Sequence, residues 1–306
     1  MTDKKGRPAV NRGRPGFTGR LPMFDFSPKL SHTFPIGRRP PLLSKEEDPV
    51  ENLFLQIFGE NRILMGIAGT LLTGLATGVG ALPVLFTTQV SDRVLDILLG
   101  FAAGVMLAAT AFSLIVPAVE LGGIGVTIVG IFIGAVFITI LDHRLPHLHF
   151  LKGPEGPSST LRRVWLLIIA ITLHNFPEGL AVGVGFGAER LKDAIVLMIA
   201  IGLQNMPEGL AVALPLIREG WPRGRALLYA LGSGVAEPIA GVLGVLAVSL
   251  MRPLLPWGLA FAAGAMLYVV SDEVIPETHS RGFELEGTWG VIIGFLVMTF
   301  LDNALG

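Results

Sequence analysis

The chain contains no cysteine and few charged residues. None of its 306 residues is Cys, and Asp, Glu, Lys and Arg together make up only 15%. Without cysteine there are no disulfide bonds, thiolate metal ligands or cysteine nucleophiles, so a transition-metal site must use His, carboxylate, amide, Met or water. Because a soluble domain carries roughly 25% charged residues, the low charge argues against a soluble fold.

Long apolar segments take the place of the missing charge. Hydrophobic residues make up 51% of the chain. They occur in blocks of about 20 residues, which is the length of a membrane-spanning helix. The pattern therefore predicts an all-α integral membrane protein in a lipid bilayer, because a β-barrel would show alternating strands instead. A net charge of −1 provides no bulk attraction for nucleic acid, and we expect no nucleic-acid partner.

Eight apolar segments predict eight transmembrane helices. They cover approximately residues 63–88, 94–117, 122–141, 164–187, 193–216, 226–250, 256–276 and 288–305. Residues 63–306 are therefore expected to form one transmembrane domain, with a hydrophilic, His-containing loop at 142–163. Residues 1–62 are polar, rich in Pro, Gly and Arg, and lack the apolar core of a signal peptide, so we expect a disordered tail.

The loop charges predict the orientation in the membrane. Nine Lys and Arg residues fall in the loops after segments 1, 3, 5 and 7, and three fall in the other loops. Positive charge favours the cytoplasmic side, so the odd-numbered loops are expected inside and both termini outside. The basic tail argues the other way, but most of it lies beyond the roughly 15–20 residues next to a span that influence orientation.

Two motifs each occur twice. Asn-x-Pro-Glu-Gly-Leu-Ala-Val occurs at 175–182 and 205–212, on segments 4 and 5. Phe-Ala-Ala-Gly-x-Met-Leu occurs at 101–107 and 261–267, on segments 2 and 7. The segments of each pair are an odd number apart, so the two copies cross the membrane in opposite directions. This pattern is typical of an inverted repeat, which in many secondary transporters places the substrate near the membrane midplane.

The motif on segments 4 and 5 carries ionisable residues inside apolar helices. His174 and Glu178 are four residues apart and share a helix face, as do Gln204 and Glu208. Segment 6 contributes Glu237. Ionisable residues within a membrane are energetically unfavourable, and they are therefore candidate functional residues.

Prolines beside these glutamates are expected to alter the backbone. Pro177 and Pro207 cannot donate a backbone hydrogen bond, so both helices should bend at the site. Pro238 should release the carbonyl of Gly234 in the same way. Released carbonyls would add oxygen ligands.

The combined side chains suit a divalent cation. Three glutamates, one imidazole and several amides are ligands for Zn²⁺, Cd²⁺, Fe²⁺ or Mn²⁺. Three carboxylates exceed the charge of one divalent ion, so two ions or bound protons both agree with the set. The alternative is that these polar groups are structural and satisfied within the bundle. Met106 and Met266 match packing positions by their spacing, although a thioether can bind softer metals.

Further polar residues lie towards the segment ends. Those in the hydrophilic loop are Asp142, His143, His147 and His149. They could collect metal on the cytoplasmic side or form an ordinary polar loop. Acids within or near the membrane are Asp272, Glu273 and Asp302. They could line a route for the ion or pair with other groups.

The chain resembles the ZIP (Zrt-, Irt-like protein) family of divalent-metal transporters, specifically its bacterial GufA-type branch. The resemblance covers roughly residues 63–306. Its motifs are His174-Asn-Phe-Pro-Glu-Gly, Gln204-Asn-Met-Pro-Glu-Gly, Ser233-Gly-Val-Ala-Glu-Pro and Val274-Ile-Pro-Glu-Thr-His. It implies eight transmembrane helices in a 3+2+3 inverted-repeat bundle, usually a homodimer, with a binuclear metal centre built by helices 2, 4, 5 and 6.

The resemblance also implies roles for individual residues. The first metal would be held by Met106, His174, Glu178, Gln204, Glu208 and Glu237. The second would be held by Asn175, Glu178, Asn205, Glu208 and Glu237. Some relatives have Asp at the position of Asn205, so the neutral amide should make the second site weaker or give it a transport role.

The same resemblance extends to the route of the ion. Ser113 and Asp302 match positions along the outer approach, and Asp142 with the His loop matches the cytoplasmic exit. Some relatives have His at the position of Asp272, so its part in passing on the metal is an open expectation.

The expected function is import of Zn²⁺ or a similar divalent cation into the cytoplasm by alternating access, across a bacterial inner membrane and without a catalytic cofactor. Two alternatives are an intramembrane metal-dependent hydrolase and a non-transporting metal sensor. The hydrolase would need a catalytic motif such as His-Glu-x-x-His, which the sequence lacks.

Overall fold

The computed structural model describes residues 49–87, 89–149, 153–155, 163–188 and 190–305, all within one compact unit. The described residues form eleven α-helices and a short hairpin. The helices are α1 (Pro49–Phe58), α2 (Arg62–Ala81), α3 (Asp92–Ala108), α4 (Val116–Arg144), α5 (Arg163–Gly187), α6 (Leu191–Arg218), α7 (Arg223–Ser233), α8 (Ala236–Leu250), α9 (Leu255–Val269), α10 (Ile275–Thr278) and α11 (Glu284–Leu305).

Six helical stretches of the described chain are long and apolar enough to cross a membrane. One of them, Asp92–Arg144, has 53 residues. Its length of about 80 Å is too great for a single crossing. The backbone turns within it at Gly123, where φ is 77° and ψ is 165°, so this stretch forms two spans. The 25-residue helix α5 adds the eighth span, which confirms the predicted number.

A hairpin in the predicted His loop contains the two β-strands of the part of the chain that the structure describes. Strand β1 (His147–His149) pairs antiparallel with strand β2 (Gly153–Glu155), and His147 lies opposite Glu155. Each strand has three residues. The all-α prediction therefore holds for the spans and omits only this short element.

Helix α1 lies within the segment that was expected to be a disordered tail. Its Phe54 is buried, and the ring stacks on that of Phe186 in α5 with a centroid distance of 5.8 Å. The tail prediction was based on the average composition of residues 1–62, which conceals this short aromatic segment. Ordered structure therefore begins before the first span, and the rest of the expected tail, residues 1–48, lies outside the described residues.

The sixth span consists of two helices, because α7 ends at Ser233 and α8 begins at Ala236. Glu237 therefore lies in the first turn of α8, directly before Pro238. The prediction that Pro238 leaves the Gly234 carbonyl free is wrong. Since the helix is interrupted here, the backbone N–H of Glu237 turns back and donates to the Gly234 carbonyl oxygen at 3.2 Å.

The helix packing follows an inverted repeat. Helix α3 packs along α11 as α9 packs along α4, and α2 packs along α6 as α5 packs along α8. The closest contacts are also repeated: a Cβ at Gly104 would overlap the carbonyl oxygen of Val291, and a Cβ at Gly264 would overlap that of Ile131. The first three spans therefore correspond to the last three, and the fourth to the fifth, which confirms the 3+2+3 arrangement.

The sequence correspondence extends beyond the repeated motifs. A constant shift of 160 positions relates Gly104 to Gly264, Ile131 to Val291, and Asp142 to Asp302. In both copies a π-helical stretch follows the Phe-Ala-Ala-Gly-x-Met-Leu motif, at Ala109–Ile115 and at Val270–Val274. Such stretches often mark functional sites within helices.

Helices α5 and α6 occupy the centre of the bundle. In α6, 72% of the apolar stretch is buried, compared with 22% in α11. Helix α6 packs against α2, α3 and α5, whereas α4 and α11 expose apolar side chains such as Phe132 and Phe300. The acidic motifs on α5 and α6 are therefore held inside the protein, away from lipid.

Candidate metal site

His174, Glu178 and Glu208 form a compact cluster between α5 and α6. One ligand atom from each of the three side chains lies within 4.8 Å of the other two. His174 Nε2 is 3.4 Å from Glu208 Oε1 and 3.9 Å from Glu178 Oε1. Both helices continue through their internal prolines, Pro177 and Pro207, so each side chain lies on an unbroken helix. The spacing of four residues places His174 and Glu178 on one face, as the sequence predicted.

A chain of amides connects this cluster to Glu237. Gln204 Nε2 donates to Glu178 Oε1 and to Asn205 Oδ1, each at 2.5 Å. Asn205 Nδ2 donates to Glu237 Oε1 at 2.7 Å and to the Thr73 carbonyl oxygen at 2.8 Å. All of these side chains are buried. Residues from α5, α6 and α8 thus belong to one polar network in an apolar bundle.

Several buried polar atoms among the predicted ligands have no hydrogen-bond partner. They are Oε2 of Glu178, Oε1 of Gln204, Oε1 of Glu208, Oε2 of Glu237 and both amide atoms of Asn175. A buried polar atom without a partner is unfavourable by about 1–3 kcal/mol. Carboxylate and amide oxygens with one imidazole are ligands for hard or borderline divalent cations. The site can therefore satisfy its own unpaired atoms by binding such an ion.

Two other predicted ligands lie apart from these contacts. Met106 is fully buried on α3, which packs against α6. Asn175 is buried on α5 next to His174 in the sequence. Within the described residues, no hydrogen bond or ion pair joins either side chain to the other six predicted ligands.

The chain is similar in sequence to known zinc transporters. The profile of the ZIP zinc transporter family matches residues 151–302. Zinc transporter GufA of Myxococcus xanthus is 45% identical over 251 residues, which cover 79% of this chain and 99% of that protein. The chain belongs to the ZIP family. Zinc transporter ZIPB of Bordetella bronchiseptica is also 45% identical, over 81% of this chain and 84% of that protein. Zinc transporter ZIP11 of Homo sapiens is 38% identical, over 81% of this chain and 99% of that protein.

At one end of the ZIP bundle, Ser113 contacts Asp302. Ser113 Oγ donates to Asp302 Oδ1 at 3.2 Å. Ser113 also lines a cavity of about 640 Å³, together with Glu120, Arg190 and Asp193. The cavity lies beside the loops that were predicted to be outside, so the two residues expected along the outer approach are adjacent at that end.

At the other end, Asp142 contacts two of the three loop histidines. Its Oδ1 is 2.8 Å from Nε2 of the buried His147, and its Oδ2 is 3.9 Å from Nδ1 of the exposed His143. His149 lies in strand β1, but its side chain is outside the described residues. Because Asp142 and Asp302 are equivalent in the repeat, each end of the ZIP bundle has an aspartate at the corresponding position.

Glu273 lies closer to the central cluster than the sequence indicated. Its Oε2 is 3.6 Å from His174 Nδ1, and it lies with Asp272 in the π-helical stretch after α9. The sequence left open whether Glu273 lines a route for the ion or pairs with another group, and it could not name His174 as the partner, because residues on the fourth and seventh spans have no fixed spacing. It also missed the Thr73 carbonyl, since a backbone acceptor leaves no residue-type signal.

Proposed function

We propose that this ZIP chain is a transporter of Zn²⁺ or a similar divalent transition-metal cation. The observation that carries the proposal is the cluster of the partly buried His174 with the buried Glu178 and Glu208, whose ligand atoms lie within 4.8 Å of one another. The named relatives support it, because proteins 34–45% identical to this chain are zinc transporters by name. The ion is the transported substrate, and no catalytic cofactor is required.

The ligands are assigned to two ions, Zn²⁺ or Cd²⁺, in one connected centre. The first ion is held by Met106, His174, Glu178, Gln204, Glu208 and Glu237. The second is held by Asn175, Glu178, Asn205, Glu208 and Glu237. The amide chain from Glu178 to Glu237 supports a connected centre, because it links carboxylates of both sets. The neutral amide of Asn205 makes the second ion the more weakly bound of the two.

Transport proceeds by alternating access, with the ion moving from the outer end to the cytoplasm. The repeated packing of the first and last three spans supports this, because inverted repeats can exchange conformations around a central site. The outer residues are Ser113 and Asp302, and the inner residues are Asp142, His143, His147 and His149. Asp272 and Glu273 line the route of the ion. The chain acts as a homodimer in a bacterial inner membrane, with both termini outside.

The alternatives have less support than transport. A hydrolase or a metal sensor would also bind metal, but the named relatives are zinc transporters. The symmetric arrangement of Asp142 and Asp302 at opposite ends of the bundle also favours passage of an ion over capture at one end. We therefore assign the protein as a transporter and not as an enzyme.

Flux into proteoliposomes tests this function and its site. Zn²⁺ is added outside liposomes that contain the protein and an enclosed fluorescent indicator. Glu178→Ala and Glu208→Ala should each reduce flux to the level of protein-free liposomes, because each removes a carboxylate from both ions. Both variants should still elute as folded protein in detergent.

Glu284→Ala is the matched control, because Glu284 is exposed on α11 outside the cluster, and this variant should transport like the wild type. Wild-type flux in either cluster variant would contradict the site. Tight Zn²⁺ binding without flux in the wild type would instead favour the metal sensor.

A further inference from the structure

Thr77 is the counterpart of Glu237 in the inverted repeat. The chain reads Thr-Gly-Leu-Ala-Thr at 73–77 and Ser-Gly-Val-Ala-Glu at 233–237. The two stretches are separated by the same 160 positions as the rest of the repeat. The position that carries a carboxylate in one half therefore carries a hydroxyl in the other.

The backbones of these two stretches meet each other at equivalent glycines. A Cβ at Gly74 would overlap the carbonyl oxygen of Gly234, and a Cβ at Gly234 would overlap that of Gly74. Gly74 and Gly234 are equivalent positions of the repeat, so exchanging the two halves leaves this contact unchanged. The pseudo-twofold axis therefore passes between these two glycines. Thr77 and Glu237 follow three residues later in each stretch, and both are buried.

The contacts to the two central helices are equivalent as well. A Cβ at Gly209 of α6 would overlap the carbonyl oxygen of Thr77, and a Cβ at Gly179 of α5 would overlap that of Glu237. Gly179 and Gly209 are themselves equivalent, because each follows the glutamate of an acidic motif. Thr77 is therefore held against α6 in the same way as Glu237 is held against α5.

The hydroxyl of Thr77 is unusual among the helical threonines of the described chain. It is buried and has no hydrogen-bond partner. Other threonines donate to a carbonyl three or four residues earlier, namely Thr70, Thr73, Thr110, Thr127, Thr139, Thr278, Thr288 and Thr299. Since this local bond is readily available in a helix, a buried threonine that does not form it is suited to bind something else.

Asn175, the counterpart of Asn205, is unpaired in the same half of the site. Asn205 donates to Glu237 at 2.7 Å, whereas neither amide atom of Asn175 has a partner. By the symmetry of the repeat, the position of Asn175 relative to Thr77 is equivalent to that of Asn205 relative to Glu237. The half with Asn205 and Glu237 thus has an internal hydrogen bond. The half with Asn175 and Thr77 has oxygen atoms that are free to bind a cation.

We propose that the Thr77 hydroxyl is a neutral oxygen ligand of the second metal ion, opposite Glu237. The ligands of that ion then form three pairs about the pseudo-twofold axis: Glu178 with Glu208, Asn175 with Asn205, and Thr77 with Glu237. The inference rests on the proposed metal transport and adds a residue that the family resemblance does not assign. The set already contains three carboxylates, and a hydroxyl in place of a fourth limits its negative charge, which favours release of the ion.

Zinc titration of the purified protein in lipid nanodiscs tests the assignment. Thr77→Val keeps the branched shape and removes the hydroxyl, and it should weaken binding of the second ion about tenfold while leaving the first unchanged. Thr77→Ser keeps the hydroxyl and should bind like the wild type. Thr70→Val is the control. It removes a buried hydroxyl from the same helix, but that hydroxyl already donates a hydrogen bond to the Gly66 carbonyl oxygen.

An exchange of the paired residues provides a second and stronger test. Glu237→Thr alone should weaken both sites, because Glu237 is assigned to both ions. Adding Thr77→Glu should restore most of the affinity lost at the second site, because the carboxylate then reaches the second ion from the other side. No rescue, or a Thr77→Val variant that binds like the wild type, would overturn the proposal. A wild type that binds one ion but transports would overturn it as well and leave transport intact, whereas absence of wild-type flux would contradict the proposed function itself.

Discussion

At the scale of single residues, Asn205 connects the two parts of the candidate site. Its amide nitrogen donates to Glu237 and to the Thr73 carbonyl, and its amide oxygen accepts from Gln204. An amide can do both because it carries donors and an acceptor, whereas a carboxylate only accepts. Asn205 therefore holds the network together without metal, although it contributes no charge to a bound cation.

We expect Asn205→Asp to tighten the second metal site and to destabilise the metal-free protein. The added carboxylate would raise affinity for the second Zn²⁺ about tenfold, equivalent to about 1.4 kcal/mol. In the metal-free variant, the introduced carboxylate would face Glu237 and could not donate the two hydrogen bonds of the amide, so the melting temperature should fall. Added Zn²⁺ should then raise the melting temperature more in the variant than in the wild type.

Calorimetric titration and thermal unfolding in detergent measure the two effects. Asn303→Asp is the matched control, because it makes the same chemical change at an exposed position on α11. Unchanged affinity and stoichiometry in Asn205→Asp would contradict the assignment of this residue to the second site.

At the scale of helices, small residues set the distance between spans. Gly104 lies on α3 where the backbone of α11 passes, and a Cβ there would overlap the Val291 carbonyl oxygen. A methyl group at this position would force the two helices apart. Gly125 on α4, in contrast, has open space around the position of a Cβ.

Gly104→Ala should therefore lower the free energy of unfolding by about 1–3 kcal/mol, as is typical of overpacking. Gly125→Ala makes the identical change and should be neutral or stabilising by up to about 1 kcal/mol, because alanine favours helix over glycine. Thermal unfolding of both variants in the same detergent provides the comparison. Equal stability of the two variants would show that the close α3–α11 contact at Gly104 does not contribute to the free energy of unfolding.

At the scale of the whole molecule, the absence of cysteine makes the orientation directly measurable. A single cysteine at Glu120, on the side predicted to be outside, should react with a membrane-impermeant maleimide in intact cells. A single cysteine at Gln89, in a loop predicted to be cytoplasmic, should react only after permeabilisation. Both positions are exposed. The reverse labelling pattern would invert the proposed orientation and with it the direction assigned to each end of the route.

The number of spans and the type of repeat could be predicted from sequence because both depend on local patterns. Apolar length alone identifies a span, and a motif on spans of opposite direction identifies an inverted repeat. The break before Glu237 and helix α1 could not be predicted, since both depend on what packs nearby. The backbone of Gly234 contacts that of Gly74 on another helix, and the Phe54 ring stacks on the Phe186 ring.

The sequence by itself determined which residues are candidates for the site. His174 and Glu178, like Gln204 and Glu208, share a helix face by their spacing, and apolar surroundings make each of them conspicuous. Only the tertiary structure decided which of them meet. The contacts of Asn205 with Glu237 and of Glu273 with His174 join different spans, and their distances follow from helix packing. The physical reason is that helix periodicity fixes neighbours within one turn, whereas contacts between helices depend on the small residues that let their backbones approach.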